Sequence, residues 1–161
     1  VLAAHPDVEF VLVGATPDAS LADDARVREL MAGGRLRILP RQERHTIPSF
    51  LAMADVLVSP RSYGDNVPLK IFDYMAAGKA IVATDIKAHR AVLDRDCAVL
   101  VAVAGPSLAD GINRVVEDVV LAEKLAERAL LNSGRGAGGE PFDRLVASVY
   151  GRVCGGVQAP G

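Results

Sequence analysis

The segment from Val56 to Thr84 constrains the fold most, because it predicts a strand, a loop, a helix and a second strand in direct succession. Two short apolar runs, 56–58 and 80–83, are typical of strands buried on both faces. The loop between them is rich in Gly, Asp and Asn, and Gly78 is expected to end the helix. This order of elements is typical of a parallel sheet and indicates an α/β fold.

The helix in this segment is predicted to begin near Asn66, whose side chain suits an N-cap, with Pro68 in the first turn. Its polar face then contains Asn66, Lys70 and Asp73, beside an apolar face suited to a core. Because the helix follows a parallel strand, its unpaired N–H groups are expected to face the crevice where open α/β sheets bind anions and nucleotides. The sequence therefore predicts a phosphate site at the start of this helix.

The rest of the chain continues the alternation of strand and helix. A further buried strand is predicted at 9–14, and two more strands are predicted at 36–39 and 98–101. Helix starts are predicted at three hydroxyl residues, namely Ser20, Thr46 and Ser107. We therefore expect a doubly wound, Rossmann-like parallel sheet with helices on both faces.

Composition predicts the boundaries of a domain, a linker and a final helix. Residues 1–131 are expected to form the nucleotide-binding domain. The Gly-rich stretch 132–140 imitates a dinucleotide fingerprint, but it follows a helix rather than a strand and is predicted to be a linker. Apolar residues recur at helical spacing over 141–154, which predicts a final amphipathic helix that packs on the domain.

Charge and composition exclude several classes of function. The 161 residues carry a formal net charge of -2, which does not favour binding to nucleic acid or to an anionic membrane. The chain contains no apolar run of transmembrane length and no signal-peptide pattern, so a cytoplasmic protein is expected. The three histidines are isolated in the sequence and the carboxylates lack ligand spacing, so no metal or other cofactor is expected.

The spacing of two acids identifies a resemblance. Seven residues separate Asp65 from Asp73, and the sequence Tyr-Met-Ala-Ala-Gly-Lys-Ala-Ile-Val-Ala follows over 74–83. This resembles the donor-binding half of retaining nucleotide-sugar glycosyltransferases with the two-domain GT-B fold, family 4 or group 1. Both acids are Asp here, where that family usually has Glu.

The resemblance implies a role for each residue of the site. Asp73 would accept both ribose hydroxyls of a nucleotide sugar, although a surface pair with Lys70 is the alternative. Asp65 would contact the donor sugar, or else cap a turn. Asp65 and Lys70 are thus the candidate catalytic residues, with Lys70 beside the diphosphate. The remaining candidate donor-binding residues are Arg41, Gly64, Asn66, Val67, Pro68, Leu69 and Thr84.

The implied function is transfer of a sugar from a UDP-type or GDP-type donor to a glycan, lipid or small-molecule acceptor. In that family a further, N-terminal domain holds the acceptor, and this sequence contains no counterpart of it, so we expect the chain to be a fragment with little activity alone. Two alternatives remain open, a non-catalytic nucleotide-binding module of the same fold and a GT-B-type sugar-nucleotide epimerase.

Overall fold

The computed structural model describes residues 1–15 and 23–134. Within these ranges the strands are β1 (Phe10–Val13), β2 (Leu36–Leu39), β3 (Val56–Ser59), β4 (Ala80–Thr84) and β5 (Val99–Val101). The α-helices are α1 (Ala25–Ala32), α2 (Ile47–Met53), α3 (Lys70–Ala76), α4 (Lys87–Arg90), α5 (Gly105–Glu117) and α6 (Val119–Ser133). The chain forms two compact units, Val1–Phe50 and a second that begins at Leu51.

The first unit contains a two-stranded parallel sheet in which Phe10 of β1 lies opposite Leu36 of β2. The guanidinium of Arg35 ties the chain ahead of β1 to this sheet, since it donates to the carbonyl oxygens of Leu2, His5 and Val8 at 3.1, 2.6 and 2.8 Å. These three bonds close the N-terminal turn onto the start of β2.

The predicted burial of β1 is wrong. Its residues Val11, Leu12 and Val13 are 46%, 41% and 37% exposed. Among the described strands β1 pairs with β2 alone, so the sheet of this unit is too narrow to enclose it. The strand itself was predicted correctly because its apolar run gives the secondary structure, whereas burial depends on neighbours elsewhere in the chain.

Of the two helix starts predicted in this part of the chain, the one at Ser20 stays a prediction and the one at Thr46 is wrong. Asp24 caps α1 by accepting from the backbone N–H groups of Arg26 and Val27, and Ser20 lies outside the described residues. Thr46 ends a 3₁₀ turn, where its hydroxyl donates to the carbonyl of Glu43 at 2.8 Å, so Thr46 is not the cap of α2.

The second unit is built on a three-stranded parallel sheet in the order β3–β4–β5. Ser59 lies opposite Ala83, and Thr84 lies opposite Val101, so the carboxyl ends of the strands are aligned. The central strand β4 is buried along its whole length. Ile71 and Met75 of α3 join it in the core, as does Ala129 of α6. The core thus fixes α3 against the sheet, and α3 is the element that carries Lys70 and Asp73.

In this unit the starts of α3 and α5 differ from prediction, and the end of α3 agrees with it. The α3 helix begins at Lys70, so the predicted N-cap at Asn66 is wrong. Its first turn is held by short-range bonds from Ile71 N–H to Pro68 O and from Phe72 N–H to Leu69 O. At the other end, Gly78 adopts a φ of 61°, as expected for a glycine that ends a helix. The α5 helix begins at Gly105 rather than Ser107.

The predicted fold class is confirmed, because every strand pairing in the described residues is parallel and helices connect the strands. The predicted final helix at 141–154 and nearly all of the linker 132–140 lie outside the described residues, and the single domain over 1–131 stays a prediction. None of the helices in the described ranges has the length and apolar character needed to cross a bilayer.

Candidate functional site

The candidate site lies in the second unit, at the edge of the sheet where β3 and β4 end. Because β3 and β4 are parallel neighbours, the segments that follow them start from the same edge. After β3 comes the Arg61 loop, residues 60–69, and after β4 comes α4. The carboxyl edge is the position where α/β sheets bind nucleotides, so these two segments are the natural walls of a site.

The Arg61 loop is closed by its own arginine. The Nη1 atom of Arg61 donates to the carbonyl oxygen of Asn66 at 2.9 Å. The guanidinium also lies against Gly64, where a β-carbon would come 2.3 Å from Nη2. Gly64 has a φ of 129°, a conformation that residues with a side chain rarely adopt. The backbone of the turn therefore favours glycine, and a β-carbon at this position would also displace the guanidinium of Arg61.

Two positive charges meet beside this loop. The pKa of Lys70 is lowered, first by desolvation of its ammonium and second by the positive charge of Arg61. The Nζ atom of Lys70 also lies 5.8 Å from the centre of the Tyr74 ring. In the part of the chain that the structure describes, neither cation forms an ion pair with a carboxylate. Such a pair favours binding of an anion.

Asp73 is exposed on α3, and the ion pair with Lys70 that was its alternative role is not formed within the described residues. Its charge contributes to a raised pKa of Tyr74, for which desolvation of the phenol is the larger cause. The carboxylate of Asp73 is thus accessible to a ligand, and its assignment to the ribose stays a prediction.

Asp65 is also exposed, and its Oδ1 atom lies 3.4 Å from Nζ of Lys87 in α4. Both side chains are more than four-fifths exposed, so this ion pair contributes little to stability. It does link the two segments that follow β3 and β4. A ligand that contacts Asp65 would meet this lysine as well.

Three buried polar side chains lie beneath the loop, namely Ser59, Thr84 and His89. Thr84 was predicted to contact the donor, but its hydroxyl donates to the carbonyl of Arg61 and so supports the loop from below. Ser59 and Arg61 were not predicted as site residues. The sequence signal available for them was their place in Ser59-Pro60-Arg61, between β3 and the Gly-containing loop.

The other predicted residues lie in two places. Val67 and Pro68 are half-buried in the Arg61 loop, while Asn66 and Leu69 are exposed there. Arg41 is exposed and belongs to the first unit, so its contact with a base stays a prediction. Among the described residues no three side chains of His, Cys, Asp or Glu are grouped to hold a metal ion.

Comparison with known proteins decides the family. Residues 1–118, most of the chain, match the family described as glycosyl transferases group 1. This chain therefore belongs to the group 1 glycosyl transferase family. A phosphatidyl-myo-inositol mannosyltransferase of Mycobacterium tuberculosis is 34% identical over 130 residues, which cover 77% of this chain and 33% of that protein. The chain thus spans about a third of the length of the curated relatives it matches.

Solved structures show that this group 1 glycosyltransferase chain has the fold of the C-terminal domain. The C-terminal domain of a group 1 family protein, LpcC of Francisella tularensis, is 24% identical with a TM-score of 0.67, over 81% of this chain and 70% of that one. Anabaena HepE in complex with UDP is 18% identical with a TM-score of 0.74, over 94% of this chain and 42% of that one. Such distant likenesses support the fold alone.

Proposed function

We propose that the chain is the donor-binding domain of a retaining glycosyltransferase that transfers a hexose from a UDP-type or GDP-type donor to an acceptor. The mycobacterial relative is named as a mannosyltransferase, and the Anabaena structure contains UDP. We further propose that the acceptor, whether a glycan, a lipid or a small molecule, is held by another part of the whole protein, and that the protein works in the cytoplasm.

The observation that carries this proposal is the pair of cations formed by Arg61 and Lys70. Desolvation of the Lys70 ammonium is the larger cause of its lowered pKa and the positive charge of Arg61 is the second, and neither cation forms an ion pair with a described carboxylate. A diphosphate would neutralise both charges and accept hydrogen bonds from the two side chains. Binding of an anionic donor would remove the part of the electrostatic cost that comes from repulsion between the two cations.

The neighbouring acids suit the rest of such a donor. An exposed carboxylate such as Asp73 can accept two hydroxyl donors at once, as the ribose of a nucleotide presents them. Asp65 lies on the Arg61 loop, and its exposed carboxylate suits a hydroxyl of the transferred sugar. Lys87 is its partner in the free chain and would reposition when a sugar binds.

The mechanism follows from the charge that develops on the leaving group. Cleavage of the bond between sugar and phosphate leaves extra negative charge on the diphosphate, and Arg61 and Lys70 would stabilise it there. The acceptor would attack on the face from which the diphosphate leaves, and no covalent intermediate on the protein is required. Asp65 would orient the sugar during this step.

Isothermal titration calorimetry with UDP, UDP-glucose, GDP and GDP-mannose tests the proposal. We expect one nucleotide sugar to bind more tightly than its own nucleoside diphosphate, because the sugar adds contacts at Asp65. The variant Asp73→Ala should bind both the nucleoside diphosphate and the nucleotide sugar about tenfold more weakly, if the carboxylate accepts both ribose hydroxyls. The exposed Asp110 of α5 provides the matched control, Asp110→Ala, which should bind as the parent chain does.

Three results would count against the transferase. Equal affinity for a nucleoside diphosphate and for the corresponding nucleotide sugar would favour a nucleotide-binding module without transfer activity. Mass spectrometry of the nucleotide sugar after incubation with the whole protein measures whether a carbon-bound hydrogen of the sugar exchanges with solvent. Such exchange would favour an epimerase. Absence of binding to all four ligands by the intact protein would reject the donor site itself.

A further inference from the structure

A continuous series of hydrogen bonds runs from the buried end of β3 into the Arg61 loop. The Oγ atom of Ser59 lies 3.0 Å from Nε2 of His89. On the other side of the ring, Nδ1 lies 2.7 Å from the carbonyl oxygen of Thr84 and 3.3 Å from its hydroxyl. The Thr84 hydroxyl donates to the carbonyl of Arg61, and Arg61 donates to the carbonyl of Asn66. Five residues are thus connected in one series.

The direction of every bond in the series follows from the chemistry of the groups. A carbonyl oxygen only accepts, so Nδ1 of His89 carries the hydrogen that is shared with Thr84. In the neutral ring Nε2 then accepts, and the Ser59 hydroxyl donates to it. The Thr84 hydroxyl has one hydrogen, which it gives to Arg61. All donors therefore point the same way, from Ser59 toward the loop, and the two bonds that share the His89 ring polarise each other.

Burial of these polar side chains costs free energy, which indicates that the hydrogen bonds they form have a structural role. Ser59 and His89 are completely buried and Thr84 is 3% exposed, next to the apolar strand β4. Polar groups in such a place cost free energy unless all their hydrogen bonds are made, and apolar side chains of similar size would fill the space without that requirement. What apolar side chains would not provide is a fixed carbonyl contact at Arg61.

We propose that Ser59, His89 and Thr84 form a buried positioning relay that orders the Arg61 loop for the diphosphate of the donor, with His89 as its central residue. The relay acts through Arg61 and does not touch the ligand, because both ring nitrogens of His89 are engaged by the protein. His89 is therefore a positioning residue. This inference rests on the proposed function for its ligand, though not for its effect on the loop.

The first test needs no ligand. In the intact protein, hydrogen exchange of the backbone amides of residues 62–66 reports the order of the loop. We expect His89→Leu, which removes the contacts of the ring with Ser59 and Thr84, to raise the exchange rates of these amides about tenfold while β4 stays protected. His89→Asn keeps an amide that can donate to Thr84, so it should restore much of the protection. Unchanged exchange in His89→Leu would overturn the proposal.

The second test separates the diphosphate from the nucleoside. By calorimetry, His89→Leu should bind UDP or GDP, whichever the parent protein prefers, about tenfold more weakly, with the affinity for uridine or guanosine unchanged. Here too His89→Asn should lie between the two. A folded His89→Leu protein that binds the diphosphate as the parent does would overturn the relay. Equal loss for nucleoside and nucleoside diphosphate would show general damage and overturn it as well.

A second variant covers the case in which His89→Leu does not fold. Ser59→Ala removes only the first donor of the series and leaves the sheet intact, so its loop amides should exchange about twofold to fivefold faster, with a matching loss of diphosphate affinity. No change in either quantity would overturn the relay. If the parent protein binds neither diphosphate while loop exchange responds as expected, the proposed function fails and the relay stands.

Discussion

Gly111 of α5 lies so close to Val101 of β5 that a β-carbon on the glycine would come 2.7 Å from Cγ1 of the valine. The same β-carbon would come 3.0 Å from Cγ1 of Val82 in β4. Gly111 therefore permits the helix to rest directly on two strands. Because β4 carries Thr84 at its end, this contact also supports the floor of the candidate site.

Replacement of Gly111 by alanine is expected to destabilise the second unit. Alanine favours a helix by about 1 kcal/mol relative to glycine, but overlap with two valines in a close-packed core costs about 1–3 kcal/mol. We therefore expect Gly111→Ala to lower the free energy of unfolding by about 1 kcal/mol, measured by urea titration. Gly105 begins the same helix, and no atom in the described part of the chain lies within 4 Å of its β-carbon position, so Gly105→Ala is the control and should be as stable as the parent chain. Equal stability of the two variants would contradict the close approach.

Replacement of Lys70 by methionine is expected to weaken diphosphate binding without lowering the stability of the fold. The pKa of Lys70 in the folded chain lies below 10.5, so its charged form disfavours folding at neutral pH. Between the lowered pKa and 10.5 the unfolded chain binds more protons, and the contribution of Lys70 to stability therefore rises with pH. Lys70→Met should thus be as stable as the parent chain or more stable at pH 7, while its affinity for a nucleoside diphosphate falls about tenfold.

The control for this variant is Lys124→Met, at an exposed lysine of α6, which should leave diphosphate affinity unchanged. Calorimetry measures the affinity, and urea titrations at several pH values measure the stability. A Lys70→Met chain that binds diphosphate normally would remove the central support for an anion site.

Replacement of Gly64 by alanine is expected to disturb the Arg61 loop. Its φ of 129° strains any residue with a β-carbon, and that carbon would displace the guanidinium of Arg61 from its bond to Asn66. We expect a loss of about 1 kcal/mol in unfolding free energy and a severalfold loss of diphosphate affinity. Gly134→Ala is a suitable control, because no atom of the described residues lies within 4 Å of its β-carbon position and its φ is an ordinary -79°. Normal affinity in Gly64→Ala would show that the guanidinium need not lie where the structure places it.

Cys97 is expected to be unreactive in the folded chain. Burial is the main cause that raises the pKa of its thiol from 9.0 to about 11. At pH 8 roughly one thiol in a thousand is then ionised, so alkylation by iodoacetamide should be slow until denaturant is added. Mass spectrometry of the peptide that contains Cys97 measures the rate. Rapid alkylation without denaturant would contradict the burial of this side chain.

The same shift sets the direction of a pH effect. Because the folded-state pKa is the higher one, the folded chain retains the thiol proton after the unfolded chain has lost it. The stability that this proton provides is complete below about pH 9 and is lost as the pH rises toward about 11. A Cys97→Ala chain should lack this part of the pH dependence in urea titrations.

The strands could be predicted from the sequence because each is a short apolar run with its own local signal. The Leu36–Leu39 strand has the predicted bounds, and the end of α3 at Gly78 follows from glycine's conformational freedom. Both features depend on neighbouring residues alone, and for that reason local patterns sufficed.

The start of α3 could not be predicted in the same way. Asn66 has the side chain of a good N-cap, but Arg61 binds its carbonyl and holds it in the loop, so the helix begins four residues later. The buried contact of Ser59 with His89 spans thirty residues of sequence. Neither residue type nor spacing indicates such a contact, and it emerges only when β3 and β4 lie side by side.

The pairing of Ser59 with Ala83 has one more consequence. Side chains alternate between the faces of a strand, so an alignment shifted by one position would turn the Ser59 hydroxyl away from His89. The imidazole would then be enclosed with an acceptor that nothing satisfies, at a cost of about 1–3 kcal/mol. Polar residues beneath the Arg61 loop thus also disfavour a misaligned sheet during folding, and the accuracy of strand assembly is tied to the residues that support the candidate site.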